Sequence, residues 1–102
     1  MGKNIAKIIA VSSMAHPLHK FVKKLCEALS EELKIPYEIR IEDYVFLTEH
    51  GDKDEYGFAF LPQIFVEYSD GSVKLVLSKI PINEKLKPDL EKAKSIILEK
   101  IA

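Results

Sequence analysis

The chain has 102 residues, the length of one domain, and 47% of them are hydrophobic, enough to bury a core. Fifteen Lys and Arg against 16 Asp and Glu leave a net charge of -1, which excludes a broad cationic field for nucleic acid or an anionic membrane. No apolar run approaches the ~18 residues of a membrane span.

Cys26 is the single cysteine, so an internal disulfide is excluded and a cytoplasmic setting is expected. "MGKNIAK" has no apolar signal core, and Ala6 stands where myristoylation after Gly2 wants Ser or Thr. Abundant Lys, Glu and Ile with only Asn4, Asn83 and Gln63 as amides fit a thermophile.

"IAKIIAV" (5–11) is short, β-branched and apolar on both faces, which predicts a central strand. In "HPLHKFVKKLCEALSEELK", Leu18, Val22, Leu25, Leu29 and Leu33 recur at helical spacing, and Lys20, Lys23, Glu27 and Glu31 face outward. Pro17 suits a first helical position, where its missing N–H costs nothing. Pro36 ends the helix by pushing Ile35 out of the α region. "YEIRIEDY" (37–44) alternates apolar and charged residues, as a strand with one wet face does. Strand, helix and strand make a βαβ unit, whose strands are parallel.

Residues 45–60 leave two readings open, a short helix or an ordered loop. Val45, Phe46, Leu47, Tyr56, Phe58 and Phe60 flank a tip containing Glu49, Asp52, Asp54 and Glu55. "PQIFVEYSDGSVKLVLS" has two β-rich runs around Asp-Gly, a strong tight-turn pair, and predicts an antiparallel hairpin. The last helix is expected from an Asn83 cap to Ile101, with Leu86, Leu90, Ala93, Ile97 and Ile101 as its stripe.

The order β-α-β-(variable)-β-β-α, with "HPLH" (16–19) after the first strand and "FLPQIFVEY" before the hairpin, resembles the thioredoxin-like family. It is closest in size to the glutaredoxins. The resemblance implies an α/β fold with a four-stranded mixed sheet, order 2-1-3-4, flanked by helices. It implies that His16 and His19 stand at the two cysteine positions of a Cys-Pro-x-Cys motif and that Pro17 is the motif proline. It also implies that Pro62 is a cis-proline beside the motif. With both cysteines replaced, dithiol–disulfide exchange is not expected, because that chemistry needs a thiolate attacking sulfur. "SKIPINEK" lacks the glycines with which glutaredoxins hold glutathione.

Three functional readings follow. The leading one is a redox-inactive module that binds a protein or peptide partner, without cofactor, in a groove formed by His16, Pro17, His19, Leu61 and Pro62. Phe58 and Phe60 are expected as its apolar wall. The second is a metal protein: neutral imidazole ligates zinc or another transition metal, and His16 and His19 on one turn could be joined by His50, Glu49 or Asp52. The bland counterpart is that both histidines are polar helix-end residues, His16 acting as a cap. The third reading, a monothiol oxidoreductase through Cys26, is opposed by the position of that thiol on the apolar helix stripe.

Overall fold

A computed structural model describes residues 4–102. Its elements in chain order are β1 (Ile5–Ser12), α1 (His19–Leu33), β2 (Tyr37–Ile41), α2 (Tyr44–His50), β3 (Gln63–Tyr68), β4 (Val73–Leu77) and α3 (Leu90–Ile101). The strands form one mixed sheet in the order β2-β1-β3-β4. β1 and β2 run parallel, with Ile8 beside Tyr37 and Ser12 beside Ile41. β1 and β3 are antiparallel, with Val11 beside Gln63, and β3 and β4 form the antiparallel hairpin.

The apolar run of β1 is explained by burial on both faces. Ile8 and Ala10 meet Val22, Leu25, Cys26 and Leu29 of α1, together with Ala93 and Ile97 of α3. Ile9 and Val11 meet Phe46 and Leu47 of α2 and Phe65 of β3 on the opposite face. Complete burial of each large side chain contributes roughly 1.5–3 kcal/mol, so both helical layers are anchored through the central strand pair.

Residues 44–60 contain both of the expected alternatives. Asp43 caps α2, its side chain accepting from the Phe46 N–H at 3.1 Å. An ordered loop follows α2, with a bridge between Lys53 and Ala59. Phe46 and Leu47 enter the core, whereas Val45, Tyr56 and Phe58 stay exposed.

Three boundaries differ from the sequence expectation. α1 starts at His19, not Pro17, because residues 13–18 close two turns of their own: the His16 N–H donates to the Ser13 carbonyl and the His19 N–H to the His16 carbonyl. β2 stops at Ile41, because Glu42 takes a left-handed φ of 50° before the α2 cap. Asn83 does not cap α3. Its side chain accepts from the Lys85 and Lys87 N–H groups and shapes a loop closed by an Ile82–Pro88 bridge. Pro88 is the reason, since Lys87 before it is disfavoured in the α region; Asp89 caps the helix instead, accepting from Lys92 N–H at 3.0 Å. Leu86 thereby leaves the apolar stripe, with φ 60° and 78% exposure.

Candidate functional site

One end of the sheet gathers the chemistry-bearing residues. β1 delivers Ser12, then the turn 13–18 and the mouth of α1. The antiparallel register, continued one step past the Val11–Gln63 pair, sets Pro62 opposite Ser12. The Leu61–Pro62 peptide bond is cis, Pro62 is buried, and the ladder of β3 begins only at Gln63. His16, Pro17, His19, Leu61 and Pro62 therefore belong to the same end of the sheet.

Each histidine already has a structural partner. His16 Nδ1 accepts from the Leu18 N–H at 3.0 Å, so His16 caps the turn before the helix. His19 Nδ1 lies 3.1 Å from the hydroxyl of Ser12, which is completely buried. A buried hydroxyl needs such a partner. With Nδ1 engaged in both rings, Nε2 is the nitrogen left for a ligand. In neutral His16 that nitrogen carries the ring proton, because Nδ1 is an acceptor.

The mouth of α1 is open in the electrostatic sense. Leu18 occupies the cap position without a side-chain hydrogen bond, and no acidic residue stands in the first turn. A helix start in that state presents backbone donors and the positive end of the helix dipole. Nearby, the Ser13 hydroxyl donates to a Glu42 carboxylate oxygen at 3.3 Å, which ties the turn to the end of β2.

The remaining expected site residues are placed elsewhere. Phe58 is 68% exposed on the 53–59 loop, where the Asp54 carboxylate accepts from the N–H groups of Tyr56 and Phe58. Phe60 lines a surface hollow of about 520 Å³ with Asp52, Lys53, Asp54, Glu55 and Lys79, and no residue of the 13–18 turn contributes to it. His50 ends α2, its ring centroid 4.7 Å from that of Phe46 and its Nε2 3.7 Å from a Glu49 oxygen. Among the described residues no three His, Cys, Asp or Glu side chains form a group able to hold a metal, so His50 does not join His16 and His19 in one.

Cys26 is completely buried, and burial, reinforced by the charge of Glu27, pushes its thiol up to about 12. The thiolate needed for exchange chemistry is therefore suppressed at neutral pH.

Ser12 directly follows the apolar run 5–11, and its pairing with His19 is found only in three dimensions. Gln63 was not anticipated at this end. Gln63 is completely buried. Its Oε1 accepts from the Asp52 N–H at 2.9 Å, and its Nε2 donates to the carbonyls of Asp52 at 3.0 Å and Phe60 at 2.8 Å. An amide inside the run "LPQIFV" is the available signal, because a buried amide demands full pairing.

Comparison with protein-family models, with curated proteins and with solved structures finds no match to this chain. Among the described residues no helix is long and apolar enough to cross a membrane.

Proposed function

We propose that the chain is a thioredoxin-like domain without redox chemistry that binds an extended peptide, or the carboxylate at its end, beside His16, His19 and Pro62. The observation that supports this most is the juxtaposition of the uncapped mouth of α1 with Leu61 and Pro62 across the β1–β3 register. A carboxylate suits free helix N–H groups and a positive dipole end. An extended chain would pair with the backbone at Leu61, which precedes the β3 ladder. Specificity would come from the Nε2 atoms of the two imidazoles. Phe58 and Phe60 are not needed, since Phe58 is exposed on its own loop and Phe60 lines a hollow to which the 13–18 turn does not contribute.

The test is a titration of ¹⁵N-labelled protein with a tetrapeptide bearing a free C-terminal carboxylate, and with its C-terminal amide. The acid should shift the amide signals of residues 13–21 and Leu61, and the amide should do so more weakly. Absence of these shifts with both peptides would overturn the reading. In parallel, catalytic reduction of a protein disulfide with dithiothreitol as donor should be absent; robust turnover would rule out the redox-inactive assignment.

A further inference from the structure

β2 is an edge of the sheet, and its free side is written in a self-complementary code. Ile8 N–H donates to the Pro36 carbonyl and Glu42 N–H to the Ser12 carbonyl. In a parallel ladder these two bonds assign the even-numbered residues of β2 to β1. Tyr37, Ile39 and Ile41 then aim their backbone N–H and C=O groups away from the sheet. Such a row is a template for another strand.

We infer that two copies of this chain pair antiparallel through β2, about a two-fold axis at Ile39. In this register Ile39 exchanges both backbone bonds with its counterpart, and Tyr37 does so with Ile41 of the second copy. Every outward backbone group of both strands finds a partner. The same register sets Glu38 opposite Arg40 and Arg40 opposite Glu38, at the close, non-hydrogen-bonded positions of the ladder. A slip by two residues in either direction brings Glu38 against Glu38 or Arg40 against Arg40. The register with the most backbone bonds is therefore the one in which opposite charges meet. A two-fold contact requires this kind of self-complementarity.

The side chains are prepared for it. Glu38 and Arg40 share one face, 3.2 Å apart, and Arg40 is braced over the Phe46 ring at 4.6 Å. The hydrogen bond from Lys7 at 2.8 Å, with Arg40 beside it, holds the Glu38 carboxyl below its usual range, so it is charged at neutral pH. On the opposite face Ile41 is 44% exposed, a large apolar residue at an open edge. Pairing brings Tyr37 of the second copy next to it. Tyr44 and Val45, exposed just beyond the end of β2, add apolar surface at the margin. A contact of one five-residue strand per copy is small, so the dimer is concentration-dependent rather than permanent.

Sedimentation velocity over a concentration series up to millimolar protein should show a shift from the 11.6 kDa monomer to a species of twice that mass. E38R and R40E each place like charges in the register and should weaken the dimer by roughly tenfold or more. An equimolar mixture of the two variants should recover the association, because each strand then meets the opposite sign. Circular dichroism confirms that both variants are folded. In the unaltered protein, exchange of the Ile39 and Ile41 amides should slow as concentration rises. A monomer at every concentration, single variants that dimerise as tightly as the parent, a mixture no tighter than its components, or amide exchange indifferent to concentration would each overturn the pairing.

Discussion

Gln63→Leu removes a clasp and puts a branched apolar side chain in its place. The variant deprives the Asp52 N–H of its acceptor and the Asp52 and Phe60 carbonyls of their donor. At about 1 kcal/mol net for each bond, the three amount to a loss of about 3 kcal/mol. Asp52 is exposed, so water can partly re-pair its backbone once the loop loosens, which holds the loss near this figure rather than at the full burial cost. For a domain of this size, 3 kcal/mol corresponds to a fall in Tm of roughly 12–24 °C. The assay is urea unfolding of parent and variant, with exchange of the Asp52 amide as the local readout. A change below about 0.5 kcal/mol, typical of an ordinary surface substitution, would refute the reasoning. So would an Asp52 amide as protected as in the parent.

The Cys26 thiol should resist a thiol reagent in the folded protein and react when denaturant unfolds it, a time course read by absorbance. Its upward shift in the folded state, from an ordinary value of 9.0 to about 12, favours the protonated form. The stabilising contribution is complete below 9.0 and is lost as pH rises through that interval, so urea midpoints should decline across it more steeply in the parent than in Cys26→Ala. Asp89→Ala should destabilise the chain by about 1 kcal/mol through loss of the α3 cap, whereas Asn83→Ala should leave helix content unchanged. Thermal melts followed by circular dichroism compare the two.

The parallel pair β1–β2 was legible from the periodicities of the strand-helix-strand unit and the hairpin from its Asp-Gly turn, whereas the strand order came with the family resemblance. Ile8, Ile9, Ala10 and Val11 of β1 are completely buried, and the stripe Val22, Leu25 and Leu29 is buried as its spacing requires. The helix starts were harder to read, since competing local hydrogen bonds decide them. His16 accepting from Leu18 defers α1, and Asn83 accepting from Lys85 and Lys87 defers α3. Pro88 carried the latter message in plain view. At the site, His16 and His19 could be singled out from a helix start. Their real partners, the Leu18 N–H and the Ser12 hydroxyl, depend on turn geometry that no periodicity encodes. Phe58 and Phe60 were expected as the apolar wall of the groove, whereas Phe58 is exposed on the 53–59 loop and Phe60 lines a hollow with Asp52 and Lys79.

The excursion after β4 has a practical use. Its two ends meet where the Asp89 N–H donates to the Pro81 carbonyl at 2.9 Å, and Asn83 N–H to Lys87 carbonyl closes it again one step farther out. Its tip, Leu86, extends into solvent and contributes nothing to either core layer. Doubling the length of a flexible loop costs only about 0.6 kcal/mol in closure entropy. A fluorophore or short affinity tag inserted at Leu86 would ride on a segment whose base is fastened independently of its tip. That segment leaves the sheet from β4, the edge opposite β2, and so could report on self-association without entering that surface.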